Sequence, residues 1–183
     1  GLLKLKVAGD GDLARVAAVR EAAPNARIIV DANEGWPVEL ASSLLAGLAQ
    51  LDVALVEQPL AQGIDDILTA LDKPIHICAD ESCHTIKDLA KLAGRYSHLN
   101  IKLDKTGGLT HASALAKAAQ EADFRLMVGC MVSTSLAMAP AMLLAGLCDF
   151  VDLDGPLLLA QDREPHLRYD KDLVFPPARE LWG

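Results

Sequence analysis

RIIVDANEGWPVELASSLLAGLAQLDVALVE, residues 27–57, holds the pattern that decides the fold. Residues 27–31 hold an apolar, β-branched run, Ile28 to Val30, that ends on an acid, Asp31. Pro37 then stands near the start of a segment with Leu40, Leu44, Leu45 and Leu48 at helical spacing. Residues 53–57 repeat the first run and again end on an acid, Glu57. Runs this continuously apolar belong to strands buried on both faces, as in a parallel sheet. The stretch therefore reads as strand, polar tip, helix, strand.

The same unit recurs on either side. Strands are expected at 2–6, 27–31, 53–57, 75–80, 99–102, 125–129 and 150–154. Leu13, Val16, Ala17 and Arg20 lie at helical spacing ahead of Pro24. Further helices are expected at 64–71, 86–93, 109–122 and 135–147. The segment from Gln161 onward, with Pro165, Pro176 and Pro177, reads as irregular or as an edge. The polar tips Lys6, Asp31, Glu57, Asp80, Lys102, Gly129 and Asp152 advance by about 22 to 27 residues, the length of a compact βα unit in a (β/α)-barrel. A doubly wound open sheet would instead show one Gly-rich turn and one switch-point site. Charged groups at nearly every strand end favour the barrel. Such a barrel needs eight strands and seven are counted, so the expectation is an incomplete barrel, with a first strand and a preceding domain outside residues 1–183.

Composition narrows the function. Apolar residues make up 51% and aromatic residues 4%, which suits helices on buried strands and excludes general disorder. The formal net charge of -8, without a basic cluster, argues against nucleic acid as a partner. The longest apolar stretch, 136–148, contains Pro140 and falls short of the roughly 18 residues of a membrane span. No signal-peptide pattern opens the sequence. Cys78, Cys83, Cys130 and Cys148 form no CxxC pair and no zinc-like spacing. They read as core or site-lining thiols of a cytoplasmic protein.

Three acids end three successive strands: Asp31 in VDANE, Glu57 in VEQP and Asp80 in ADES. Any one of them alone would read as a turn residue or helix cap. Together at a barrel mouth they would repel one another, and a hard divalent cation such as Mg²⁺ resolves that. Histidine is absent from these tips, which argues against zinc. Lys6 and Lys102 end strands on either side of the acids. The plainer reading of a snorkelling surface lysine fits Lys105 better than these two. Near a metal-bound carboxylate, one lysine can remove an α-proton and the other return one, inverting the carbon.

The segments KLK (Lys4 and Lys6), VDANEGW, VEQPL, ICADES, NIKLDKTGG and DLDGP resemble, in order and spacing, the muconate-lactonizing subgroup of the enolase superfamily, and most closely its dipeptide epimerases. The resemblance implies Mg²⁺ at Asp31, Glu57 and Asp80, with Lys6 and Lys102 as the acid/base pair and Lys4 as an auxiliary. It implies a DxD pair, Asp152 and Asp154, that grips the α-ammonium of a dipeptide such as L-Ala-D/L-Glu. A two-base 1,1-proton transfer through an enediolate follows, with a place in murein peptide metabolism. It also implies an N-terminal cap domain that selects side chains. A homo-oligomer is allowed but not read.

Weaker assignments follow. Met131 and Ser133 are candidates to line the site, or ordinary packing and capping residues. Asn33 supports Asp31 or only its loop. Gly107 and Gly108 form a tight turn in preference to an anion nest. Trp36 closes over the site or packs. No histidine is given a role. The alternatives are an o-succinylbenzoate synthase, N-acylamino acid racemase or cycloisomerase of the same subgroup, and a non-catalytic barrel that binds a metal or small acid.

Overall fold

A computed structural model describes residues 1–183. Its first unit, residues 1–83 with 90–98, carries β1 (Leu2–Lys6), α1 (Asp12–Ala22), β2 (Arg27–Asp31), α2 (Val38–Gln50), β3 (Val53–Glu57) and β4 (Ile77–Ala79). A 3-10 turn at Ile86–Asp88 leads into α3 (Leu89–Leu92). The second unit, residues 84–89 with 99–183, carries most of β5 (His98–Ile101), then α4 (Leu103–Thr106), α5 (Leu109–Glu121), β6 (Arg125–Val128), α6 (Ser135–Ala145) and β7 (Phe150–Val151). A short hairpin, β8 (Tyr169–Asp170) and β9 (Leu173–Val174), follows.

Strand order follows chain order within each unit, β1-β2-β3-β4 in the first and β5-β6-β7 in the second. The pairs β1–β2, β2–β3, β3–β4 and β6–β7 are parallel. Ile28, Ile29 and Val30 are fully buried, as are Leu55 and Val56. Neither face of these strands meets water, which is why they read as unbroken apolar runs. Leu45 and Leu48 of α2 supply buried side chains in the first unit; Leu115 of α5 does so in the second.

β1, β2 and β3 match the expected strands residue for residue. β5 has the expected length but starts one residue earlier, and β4, β6 and β7 are shorter, because the chain leaves the ladder to build turns. β7 stops at Val151: Asp152 N–H still reaches Val128 O at 2.9 Å, but a 3-10 turn then forms at Gly155–Leu158. The helix expected at 64–71 is a 3-10 turn, Asp65–Thr69. The one expected at 86–93 is split. Thr85 and Asp88 form a capping box, and Gly94, at φ +77, lies just beyond the single turn of α3. No helix is long and apolar enough to cross a membrane.

Candidate active site

Register sets the first cluster. Lys6 pairs with Asp31, Asp31 with Glu57, and Glu57 with Cys78, so one row of residues crosses β1 to β4. Asp80 lies two residues beyond that row. Lys4 and Lys6 share a face of β1, since alternate strand residues point the same way. Lys6 Nζ donates to Asp31 Oδ2 at 2.7 Å and to Asn33 Oδ1 at 2.6 Å. Lys4 Nζ lies 3.2 Å from Asp31 Oδ2 and 2.8 Å from Glu57 Oε2.

All three acids are buried: Asp31 and Glu57 completely, Asp80 to 2% exposure. Burial pushes the Glu57 carboxyl up to about 7; the nearby Lys4 ammonium opposes this, while Asp31 and Asp80 raise it further. Asp31 and Asp80 therefore both bear electrostatically on Glu57. No three His, Cys, Asp or Glu side chains already stand as a metal cage; the Lys4 ammonium holds the place between two of the acids.

The loop after β2 aims Asn33. Asn33 and Glu34 have φ of 42 and 66, and Gly35 N–H donates to Ala32 O at 2.8 Å. A Cβ on Gly35 would sit 2.8 Å from that same carbonyl, so glycine is required. Asn33 N–H donates to Asp31 Oδ1 at 3.0 Å, and its side-chain amide donates to Glu81 Oε1 at 3.1 Å. Asn33 thus bonds Asp31 and ties its own loop to Glu81.

A second cluster forms in the second unit. The Cys130 thiol is pushed up to about 11, first by burial and then by the carboxylates of Asp152 and Asp154; a Gly155 backbone N–H and the Lys102 ammonium pull the other way. Lys102, Asp152 and Asp154 are thus all close enough to act on one sulfur. Lys102 is 8% exposed, so it is no snorkelling surface lysine. Asp154 precedes the Gly155–Leu158 turn, but its side chain makes no capping bond there. Leu153 between the two acids is buried, and its carbonyl accepts the Tyr169 hydroxyl at 2.7 Å. A Cβ on Gly155 would lie 2.7 Å from Met131 O and 3.4 Å from Ser133 N, so the 131–133 backbone presses on the DxD tip. The Met131 side chain is itself exposed.

Several weaker assignments are settled. Trp36 is 3% exposed and donates its indole N–H to Asp12 Oδ2 at 3.0 Å, so it packs. The amides of Gly107 and Gly108 both donate to Leu103 O, at 3.1 and 2.9 Å, which makes a turn and no anion nest. Lys105 Nζ donates to Asn100 O at 3.0 Å. Two residues escaped the sequence reading. Gln58 follows Glu57 and is fully buried at φ +35. Cys130 stands in the sequence as one thiol among four. The only sequence signal for Gln58 is an amide wedged between a strand-end acid and Pro59.

Residues 2–174 match the family model described as enolase C-terminal domain-like. The chain belongs to that family, and its α/β fold, with the parallel-sheet strands β1 to β7, is of the enolase C-terminal barrel type. It is 50% identical to an N-acetyl-D-glutamate racemase of Pseudoalteromonas sp, over 100% of this chain and 58% of that protein. It is 49% identical to the L-Ala-D/L-Glu epimerase of Escherichia coli (strain K12), over 92% of this chain and 52% of that protein. Among solved structures, an enolase family member from Agrobacterium tumefaciens with homology to dipeptide epimerases, with bound sodium and L-Ala-L-Glu, shares 54% identity at TM-score 0.97, covering 100% of this chain and 56% of that one. A dipeptide epimerase from Cytophaga hutchinsonii, complexed with Mg and D-Ala-L-Val, shares 28% identity at TM-score 0.89, covering 96% and 51%. The chain spans about half the length of these relatives.

Proposed function

We propose that the protein containing this chain is a cytoplasmic, magnesium-dependent epimerase of dipeptides such as L-Ala-D/L-Glu. Lys6 and Lys102 serve as its two acid/base groups. The observation that carries this reading is the placing of Asp152 and Asp154 at alternate positions just past β7, around the buried Leu153, with Lys102 and both acids near Cys130. Two adjacent carboxylates suit a cationic group, and a dipeptide offers an α-ammonium close to the carbon that loses its proton. The epimerase from Escherichia coli, at 49% identity, supports the same choice.

The first cluster fits a divalent cation. Asp31, Glu57 and Asp80 are buried oxygen donors, and a Lys4 ammonium already bridges Asp31 and Glu57. These three acids would hold Mg²⁺, which when bound stabilises the negative charge that a substrate carboxylate gains as its α-proton leaves. Lys6, bonded to Asp31 and Asn33, is held by two fixed acceptors and takes or returns a proton at the α-carbon. Lys102, little exposed, does the converse for the opposite enantiomer. Lys4 keeps the acids close when no cation is bound. Four free thiols suit a reducing compartment.

A second reading has its own support. The 50% identical relative is an N-acetyl-D-glutamate racemase, and N-acylated glutamate carries no ammonium. The test is α-proton exchange in D₂O with the full-length protein, comparing L-Ala-L-Glu with N-acetylglutamate. Chelation should stop exchange, Mg²⁺ should restore it, and the dipeptide should be the better substrate. A rate unaffected by chelation would remove the magnesium mechanism, and preference for N-acetylglutamate would establish the racemase.

A further inference from the structure

Beneath the three acids lies a buried polar network in the first unit. Gln58, Asp65, Ser82 and Tyr96 are all at most 7% exposed. Asp65 accepts the Ser82 hydroxyl at 2.6 Å and the Tyr96 hydroxyl at 2.7 Å, both on Oδ2. Arg95 Nη1 pairs with its other oxygen at 3.1 Å. A carboxylate paired in this way can only accept. Both hydroxyls therefore turn their protons toward Asp65 and their lone pairs toward Gln58.

That arrangement fixes which way the Gln58 amide faces. Its Nε2 lies 2.9 Å from Ser82 Oγ, 3.0 Å from Tyr96 OH and 2.8 Å from Leu60 O. All three can accept, so the NH₂ end must point to them. The oxygen is left facing two backbone donors, Asp80 N at 2.9 Å and Ser82 N at 3.1 Å. The Gln58 backbone adds a second tie to β4 and one to the loop after β2: its N–H donates to Cys78 O at 2.9 Å, and its carbonyl accepts Glu34 N–H at 2.8 Å. One residue thus joins the strand ends that carry Asp31, Glu57 and Asp80, from a left-handed conformation with φ +35. A glutamine adopts that conformation only when its surroundings impose it.

We propose that Gln58 is a positioning residue for the cation site. Asp65, through the two hydroxyls, orients the amide, and the amide sets the spacing of Glu57 and Asp80. The inference rests on the magnesium reading above. It assigns work to Asp65, Ser82 and Tyr96, which act through the Gln58 amide. Groups that orient ligands in this way change metal affinity when removed.

The test titrates Mg²⁺ alone into the full-length protein by calorimetry, comparing wild type with Asp65→Asn and Tyr96→Phe. Asp65→Asn keeps the shape but leaves one acceptor oxygen in place of two, so its N–H donors must face either the two hydroxyls or Arg95 Nη1, each of which needs an acceptor. Both variants are expected to melt cooperatively and to bind Mg²⁺ with Kd raised about 10-fold or more. Turnover should recover largely at saturating Mg²⁺, since the acid/base groups are untouched. A purely structural network would lower the melting temperature and leave Kd at the wild-type value; that result overturns the proposal. If Asp65→Asn does not fold, Tyr96→Phe decides by the same two outcomes. A wild-type protein that takes up no Mg²⁺ overturns the magnesium reading and this inference together. Wild-type binding with unchanged variant affinity overturns this inference alone.

Discussion

Lys6 and Asp31 are register partners on adjacent parallel strands, and the Lys6 ammonium donates to Asp31 Oδ2 at 2.7 Å. The same oxygen lies 3.2 Å from the Lys4 ammonium. One buried carboxylate oxygen thus organises both lysines of the KLK segment. Lys4 is turned to the interior acids, with 17% of its side chain exposed, while Lys6 keeps 65% of its side chain exposed. Of the two, Lys6 is the one open to an incoming substrate.

Lys6→Ala should therefore abolish epimerization in the full-length protein, and so should Lys102→Ala. The loss should be at least about 100-fold, the usual contribution of one acid/base group. Each variant should still exchange the α-proton of one enantiomer with D₂O, through the lysine that remains. The two variants should differ in which enantiomer exchanges. Full epimerase activity in either would sink the two-base assignment.

Strand periodicity made most of this architecture legible. β2 and β3 could be bounded from residues alone because their apolar runs are buried up to a charged tip, and β1 because its leucines alternate with Lys4 and Lys6. β7 could not. Its strand character ends at Val151; a 3-10 segment then begins at Gly155, where a side chain would run into the distant Met131 O. The acids and lysines were legible because charge at the end of an apolar run is conspicuous. Gln58 was not, because its role comes from Asp65, Ser82 and Tyr96, which are 7, 24 and 38 positions away in the chain. An uncharged amide gives no signal until those partners are in place.

Trp36 illustrates the same limit and yields a stability prediction. Aromatic residues near a mouth suggest a lid, yet this indole is buried with its N–H on Asp12. Asp12 is fully buried and also accepts the Ala8 and Gly9 N–H groups, at 3.0 and 2.5 Å. Trp36→Phe removes one donor from that carboxylate and should cost about 1–3 kcal/mol of stability. The melting temperature should fall while kcat stays at the wild-type value. A kcat effect without loss of stability would restore the lid.

Cys130 reports on the second cluster. Burial holds its thiol at about 11, and Asp152 and Asp154 add to the rise. The reactive thiolate is therefore scarce at neutral pH, and alkylation should be slow there and accelerate steadily up to about that pH. Removing a negative neighbour lowers the thiol pKa, so Asp152→Asn and Asp154→Asn should each alkylate faster than wild type at pH 8. Lys102→Ala removes a positive neighbour and should alkylate more slowly. Iodoacetamide kinetics followed at Cys130 by mass spectrometry measure all three. Rates that ignore these substitutions would mean that the cluster does not form around this sulfur.

Substrate class turns on the same two aspartates. Asp152 and Asp154 flank the buried Leu153, and both act on Cys130. Two carboxylates two residues apart suit a cationic group. The competing account, in which Asp154 caps the following turn, lacks its bond, since the side chain makes no capping contact. The cation proposed here is the α-ammonium of a dipeptide. An N-acetylated dipeptide cannot supply it, and should be a very poor substrate for the full-length protein. Asp152→Asn and Asp154→Asn should each reduce kcat/KM by about 1.5–3 kcal/mol, the strength of a hydrogen bond to a charged group. That loss should vanish when the substrate is already N-acetylated, because the bond is then absent from both enzymes. The decisive measurement is kcat/KM for free and N-acetylated L-Ala-L-Glu in wild type and both variants. Equal values for the two substrates in wild type would withdraw the dipeptide assignment and favour racemization of N-acylated glutamate, the activity of the 50% identical relative.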